Sequence, residues 1–250
     1  MNIFIKIACR SLALATFCAT AVGPALGQGT MIIQHSGATD PLTEGFVGQA
    51  FGGSPVFNDA GVNAWATPSS TNSHCNYGYF LSSQQQIETT GANWTFSVDV
   101  RVATKHISTD RVAFYAGLDI SSEGYYGLLF DSTPTGDPDE VYLSVNSGPT
   151  NIVNLNGAGS TYNNYQLIYN ASADMASLWI NGVEYADAIS PLEPDHGVQS
   201  VYWGSEGGPT FEQANWNLVS LTIPEPSSAA VFLLGSGVLV YVLKRRRFRS

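Results

Sequence analysis

The stretch that decides the fold is Tyr165-Gln166-Leu167-Ile168-Tyr169, followed by Met175-Ala176-Ser177-Leu178-Trp179-Ile180-Asn181-Gly182-Val183-Glu184-Tyr185. Its apolar runs are short and bounded by polar residues, which is typical of β-strands. Asn-Gly between two apolar runs favours a type I′ turn, because both central residues of that turn need a positive φ. The sequence therefore predicts an antiparallel hairpin here.

The same strand pattern continues on both sides of this hairpin. Along residues 94–102 the apolar side chains share one face, and polar side chains share the other. Further strands are predicted at residues 112–120, 125–130, 141–145, 198–203 and 216–223. Residues 29–70 are less regular and predict one or two early strands. Because no long helical period interrupts these short strands, the chain between its two termini is predicted to be an all-β sandwich.

Parts of this pattern resemble concanavalin A-like domains, a group that includes laminin G-like modules, legume-type lectins and β-glucanases. The matching segments are residues 94–98, 164–169, 176–183, 201–205 and 214–221. The resemblance implies a jelly-roll β-sandwich over residues 28–223. It implies no activity, because the matching features are strands and turns and not catalytic residues.

The amino terminus has the features of a secretory signal peptide. Residues 1–10 carry two basic residues and no acid, residues 11–22 are mostly apolar, and Ala25-Leu26-Gly27 provides small residues for cleavage. We therefore predict that residues 1–27 are removed and that the exported chain begins near Gln28.

The carboxyl terminus combines a turn, an apolar segment and a basic cluster. Pro224-Glu225-Pro226 precedes the uncharged residues 229–243, and Arg245-Arg246-Arg247 lies near the end. A helix over 229–243 would cover about 22 Å, less than the roughly 30 Å hydrocarbon core. The arginines should stay in the cytoplasm. The sequence therefore predicts a single, marginal transmembrane helix with the domain outside.

In this order, these three parts resemble a PEP-CTERM sorting signal of Gram-negative bacteria, here over residues 224–250. The resemblance implies a membrane-anchored precursor, which the membrane-embedded enzyme exosortase recognises and cuts near the motif. It also implies delivery to the cell surface or extracellular matrix of bacteria that form biofilms and exopolysaccharide. A plain single-span anchor is the alternative.

Charge divides the chain into basic ends and an acidic middle. Between the two terminal segments only Arg101, Lys105 and Arg111 are basic, whereas all 20 acidic residues lie from Asp40 to Glu225. With Glu225 included, the exported part carries a net charge near −17. Such a charge repels nucleic acid and anionic lipid, so neither is predicted as a partner. It suits a neutral polysaccharide, a cation, or plain solubility without a specific partner.

No residue pattern indicates catalysis, so we predict that the protein is not an enzyme. Glycosidases place two carboxylates on either side of the scissile bond, and no strand here carries such a pair. His74 and Cys75 are adjacent, but their surroundings are polar and predict a loop without further ligands. A polysaccharide-degrading glycosidase is kept as an alternative.

No cofactor is predicted, and the metal question is left open. Calcium prefers carboxylate and carbonyl oxygens in loops. Asp187, Glu193 and Asp195 are candidate ligands of that kind, although their spacing matches no EF-hand. Cys75 is the single cysteine of the exported chain, so no internal disulfide forms.

Aromatic side chains are the candidate binding groups, because sugar sites combine aromatic platforms with polar groups. The candidates are Tyr115, Trp179, Tyr202 and Trp203, with Tyr125 and Tyr126 as further aromatic residues. Packing in a second layer is the alternative role. The leading hypothesis is an exported structural or adhesive protein linked to exopolysaccharide, and the alternative is a lectin-like module with a defined glycan.

Overall fold

The computed structural model describes residues 29–51, 56–57, 64–69, 74–104, 112–120, 124–131, 140–144, 149–154, 161–191, 199–205 and 212–224. Residues 30–223 form one compact unit. The described strands are β1 (Thr30–Ser36), β2 (Val47–Phe51), β3 (Val56–Phe57), β4 (Trp65–Ser69), β5 (His74–Phe80), β6 (Trp94–Thr104), β7 (Val112–Ile120), β8 (Gly124–Asp131), β9 (Glu140–Ser144), β10 (Pro149–Asn154), β11 (Asn163–Asn170), β12 (Met175–Ile180), β13 (Val183–Ile189), β14 (Ser200–Ser205) and β15 (Glu212–Ile223). The described helices are a 3-10 helix at Pro41–Glu44 and α1 at Ser83–Thr89.

These strands form two antiparallel sheets and a separate β9–β10 hairpin. Sheet A has the order β13-β12-β11-β6-β15-β4-β3, with β1 also paired to β15. Sheet B has the order β2-β5-β14-β7-β8. The predicted all-β jelly-roll sandwich is thereby confirmed.

Aromatic side chains from both sheets fill the space between them. Trp203 of sheet B lies 5.3 Å from Trp216 of sheet A, measured between ring centroids. Phe130 of sheet B meets Tyr165 of sheet A at 5.1 Å in an edge-to-face arrangement. Rings packed in this way bury large apolar areas and hold the two layers together.

The hairpin predicted at Asn181-Gly182 is confirmed. Ile180 pairs with Val183, and φ is 51° at Asn181 and 79° at Gly182. Two successive positive φ angles are what a type I′ turn requires, and asparagine and glycine adopt them with the least strain. This turn aligns β12 with β13 at the edge of sheet A.

The prediction of a loop around Cys75 is wrong, because this segment forms the interior strand β5. The side chain of Cys75 is buried, and its amide donates a hydrogen bond to Oγ of Ser205 at 2.9 Å. The polar character that suggested a loop arises because alternate residues face outward. The described residues of the irregular stretch before it form four strands, β1–β4, where one or two were predicted.

Helix α1 was not predicted, because seven residues are too few for a helical period. Its start is nevertheless encoded locally. Oγ of Ser82 accepts from the Gln85 amide at 3.3 Å, and the Gln85 side chain accepts from the Ser82 amide at 2.9 Å. This reciprocal pair is a capping box, which satisfies two amides at the first turn.

Among the residues that the structure describes, no helix is long and apolar enough to cross a membrane. The predicted transmembrane segment 229–243 and the signal peptide 1–27 lie outside the described residues. Both remain predictions from sequence.

Candidate functional site

Three tyrosines meet on the outer face of sheet B. We call Tyr115, Tyr125 and Tyr202 the tyrosine cluster. The rings of Tyr125 and Tyr202 are stacked, with centroids 5.5 Å apart and planes 8° from parallel. Tyr115 lies 5.4 Å from Tyr202 at a tilt of 51°. All three side chains are half-buried, so each ring is held by neighbours and still reaches solvent.

Strand alternation places these rings outside. On β7 the neighbours of Tyr115, Phe114 and Ala116, are fully buried in the core. On β14 the same alternation buries Val201 and Trp203 and turns Tyr202 outward. Successive side chains of a strand point to opposite faces. The cluster therefore forms from three strands, β7, β8 and β14, that are neighbours in sheet B.

Two glycines make room for the rings. Gly117 pairs with Tyr202 on one side and with Gly127 on the other. A Cβ at Gly117 would lie 2.6 Å from Cζ of Tyr202, and one at Gly127 would lie 2.7 Å from Cζ of Tyr125. Any other residue at either position would collide with a tyrosine. The rings thus lie over bare backbone, in space that a larger residue would occupy.

The exposed part of this face carries no charge among the side chains that the structure describes. Its carboxylate, Asp119, is fully buried. The outer face of sheet A differs, because it carries Asp99 and Arg101 together with hydroxyl and amide side chains. The two outer faces therefore suit different ligands, and the face of sheet B suits a neutral one.

The structure brings two of the four predicted binding residues together. Tyr115 and Tyr202 are in the cluster, whereas Trp179 lies on the outer face of sheet A, where its Nε1 donates to Oγ of Ser177 at 3.0 Å. In register, Trp179 is opposite Gln166 of β11. Trp179 is half-buried and does not belong to the cluster.

The prediction for Trp203 is wrong. Its side chain is 0% exposed and stacks between His35 and Tyr77, with both centroid distances 4.6 Å. Tyr202 and Trp203 are adjacent on a strand, so they must face opposite sides of the sheet. Tyr202 faces outward, and Trp203 is therefore a core residue that no ligand reaches.

Sequence reasoning missed the glycines that seat the tyrosines. Gly117 and Gly127 lie on different strands and come together through pairing alone. Each follows a tyrosine by two positions, and this spacing is the signal in the sequence that marks them as neighbours on one face.

Cys75 has the character of an inert core thiol. Burial raises its pKa to about 11. A thiol of that pKa stays protonated at neutral pH and is a poor nucleophile. The side chain of the adjacent His74 lies outside what the structure describes.

The calcium prediction remains open. Asp187 is exposed on β13, and Glu193 and Asp195 lie outside the described residues. Within the described ranges, no three His, Cys, Asp or Glu side chains gather closely enough to hold a metal ion.

Comparison with protein families identifies the carboxyl terminus. Residues 222–247 match the PEP-CTERM protein-sorting motif. The chain therefore carries the sorting signal of an exported protein, and the motif implies processing by exosortase. Of its sequence-predicted residues, Pro224 is described and exposed directly after β15, while Glu225, Pro226 and Arg245, Arg246 and Arg247 lie outside the described residues.

Solved structures with the same fold are lectin-like. Peanut lectin in complex with a nonapeptide aligns with a TM-score of 0.52 at 13% identity, covering 76% of this chain and 97% of the lectin. A carbohydrate esterase from the Shiga toxin-encoding bacteriophage phi24B aligns with a TM-score of 0.55 at 10% identity, covering 79% of this chain and all of the esterase. At such identities the likeness concerns the fold alone.

The binding domain of botulinum neurotoxin serotype D/C also aligns, with a TM-score of 0.51 at 13% identity over 82% of this chain. This chain spans about half, 52%, of that domain's length. A comparison with curated proteins finds no match. The chain thus ends in a PEP-CTERM sorting motif, and its described domain has a jelly-roll fold similar to that of peanut lectin.

Proposed function

We propose that this protein is a non-enzymatic adhesive or structural component of the cell surface or extracellular matrix. In this proposal it holds neutral exopolysaccharide through the tyrosine cluster. The observation that carries the proposal is the pair of parallel rings, Tyr125 and Tyr202, held over glycine backbone on a face whose described side chains expose no charge. A lectin with a defined glycan is the narrower form of the same idea.

Half-buried tyrosines suit sugar rings for two reasons. A tyrosine presents an apolar ring face, on which the C–H face of a pyranose can stack, and a hydroxyl that can exchange hydrogen bonds with sugar hydroxyls. Because the Tyr202 ring packs against both Tyr115 and Tyr125, less side-chain freedom is lost on binding than for an isolated ring.

The net charge of the exported part favours binding of a neutral polymer over binding of a polyanion. The exported part carries three basic and 20 acidic residues, so it repels polyanions in general. The described face offers a polyanion no cationic side chain. A neutral polysaccharide has no such penalty and can contact the rings directly.

The proposal that the protein is not an enzyme rests on the make-up of the site. A glycosidase needs two carboxyl groups that reach the substrate. The carboxylate described on this face, Asp119, is 0% exposed, and the other described side chains of the face are phenols and apolar groups together with Ser200 and Asn76. Such a surface can bind sugar and offers no acid–base pair for hydrolysis.

Affinity electrophoresis of the exported domain, residues 28–223, in gels that contain neutral polysaccharide tests this proposal. We expect the wild-type domain to be retarded and Tyr202→Ala to lose about tenfold in affinity, which corresponds to about 1.4 kcal/mol. Tyr185→Ala is the matched control, because Tyr185 is 47% exposed on β13 of the other sheet. Its retardation should equal that of the wild type.

A second variant tests which of the two outer faces binds the polymer. Trp179→Ala on sheet A should keep full retardation if the tyrosine cluster binds the polymer. Loss of binding in Trp179→Ala with no effect in Tyr202→Ala would move the site to sheet A and contradict the proposal. Release of reducing ends from the polymer by the purified domain would contradict the non-enzymatic assignment.

A further inference from the structure

Large apolar side chains lie exposed at one side of sheet B. Val47 on β2 is 59% exposed and Phe80 on β5 is 58% exposed. Both face outward, because the residues next to them in the chain, Phe46 and Leu81, are buried. Exposed apolar side chains that adjoin one another mark a surface that contacts something else. Neither residue belongs to the tyrosine cluster.

Gly78 lies between these residues and the cluster. It pairs with Val47 on one side and with Tyr202 on the other, and Phe80 follows it by two residues on the same strand. A Cβ at Gly78 would meet no atom within 4 Å. Since the Tyr202 ring rests on Gly117, on the opposite side of β14, it leaves Gly78 uncovered.

The backbone at Gly78 is therefore a bare strip, bordered by the four residues Val47, Tyr202, Asn76 and Phe80. Neighbouring strands lie about 4.8 Å apart, so the backbones of Val47 and Tyr202 are separated by about 10 Å. Asn76 and Phe80 bound the strip along the strand, each two residues from Gly78. We call this feature the Gly78 strip. Between Val47 and Tyr202 the strip is as wide as the single strand β5. This width suits one small ring and not a helix or a second sheet.

The enclosing groups define the chemistry of the ligand. Phe80 and Val47 offer apolar contact, and the half-buried Asn76 offers an amide that both donates and accepts hydrogen bonds. No exposed charge adjoins the strip among the described side chains. A ligand with an apolar face can contact the apolar side chains, and hydroxyls at its rim can form hydrogen bonds with the amide. Such a ligand carries no charge.

We infer that the Gly78 strip is a subsite that seats one neutral pyranose ring of the bound polysaccharide, beside the tyrosine cluster. This inference rests on the proposed function and adds where one sugar residue lies. It also adds a selectivity: neutral hexopyranose units are accepted and uronate units are rejected, because a carboxylate would lie on an uncharged surface of an acidic domain.

The test combines a steric variant with a direct probe of the strip. Gly78→Val fills the strip, and it should fold normally because a Cβ there is unobstructed and valine suits a strand. Thr95→Val places the same valine side chain on a strand of the outer face of sheet A and is the control for apolar character. Thermal unfolding of all three proteins checks that the folds are intact.

The affinity for hydroxyethyl cellulose, measured by retardation in the gel, should fall about tenfold in Gly78→Val and remain unchanged in Thr95→Val. Gels that contain alginate should not retard the wild-type protein. Titration with methyl β-glucopyranoside should shift the backbone amide resonances of Asn76, Gly78 and Phe80 and leave those of β13 in place. Full retardation of Gly78→Val, or sugar-induced shifts confined to Tyr115 and Tyr125, would overturn the subsite and leave the proposed function standing.

Two other outcomes would also overturn the subsite. If the wild-type protein binds neither polymer, both the subsite and the proposed function are contradicted. If sedimentation shows that the wild type self-associates and Gly78→Val does not, while the sugar shifts no resonance, the exposed apolar residues serve contact between copies of the chain.

Discussion

His35 is a polar residue in a fully apolar position. Its ring is 0% exposed and stacks on Trp203 at 4.6 Å, and Nδ1 lies 2.6 Å from Oε2 of Glu44. Among the described residues no partner reaches Nε2. Neutral His35, with Nδ1–H donating to Glu44, fits this site, whereas a protonated ring would bury a second donor without an acceptor.

This environment makes stability depend on pH. Burial lowers the pKa of His35 below its ordinary value of 6.5, although the hydrogen bond to Glu44 and the charge of Asp40 oppose the shift. The unfolded chain therefore takes up the proton at a higher pH than the folded protein does. The contribution of neutral His35 to the free energy of unfolding is present above about pH 6.5 and is lost as the pH falls below that value.

We expect urea unfolding midpoints of the wild-type domain to decrease between pH 7.5 and pH 5. The replacement His35→Phe keeps a ring against Trp203 and removes the titration, so its midpoint should change less over the same range. Parallel slopes for the two proteins would show that His35 does not titrate on unfolding.

At the scale of elements, β15 connects most of sheet A. It pairs with β6 along one edge, and β4 and β1 share its other edge. The contact between β15 and β4 includes a buried hydrogen bond, in which Nε1 of Trp216 donates to Oγ1 of Thr67 at 2.7 Å. Both side chains are 0% exposed, so no water can replace this acceptor.

Thr67→Val should lower the free energy of unfolding by about 1–3 kcal/mol, because it leaves a buried indole N–H without an acceptor while keeping the side-chain shape. Thr222→Val is the matched control on β15. Its hydroxyl donates to the carbonyl of Thr95 at 3.4 Å in a partly exposed position, and its loss should cost little. Equal losses for the two variants in urea titrations would contradict the assigned role of Thr67.

At the scale of the whole molecule, the ends of the exported domain meet in one sheet. Thr30 pairs with Ile223, so the first and last described strands lie side by side. The PEP-CTERM match begins at residue 222, within β15, and Pro224 is exposed immediately after the strand. The sorting motif therefore starts where the folded domain ends.

Replacing Pro224 and Pro226 together by alanine should stop processing, because the motif is the feature that implies exosortase recognition. We expect the full-length precursor to accumulate in the membrane fraction of an exosortase-producing host, detected by immunoblot as a longer band. Ser228→Ala should be processed normally. Unchanged processing of the double variant would favour a plain anchor.

Several features of this protein could be predicted from short segments of sequence. The sorting motif and the Asn181-Gly182 turn depend on residues that are adjacent in the chain. Alternation with a period of two also indicated the strands of the sandwich and the outward faces of Tyr115 and Trp179. These signals are local, since backbone sterics and side-chain spacing act over a few residues.

Other features required the strands to be paired. Alternation alone shows that Tyr202 and Trp203 face opposite sides, and only the packing of sheet A over sheet B makes Trp203 the buried one. The polar segment around Cys75 became a strand because β2 and β14 pair with it. The tyrosine cluster and the Gly78 strip need register between β2, β5, β14, β7 and β8, which are distant in sequence. The signal for export is thus encoded in the carboxyl-terminal sorting motif, whereas the surface that we propose for binding exists only after these strands align.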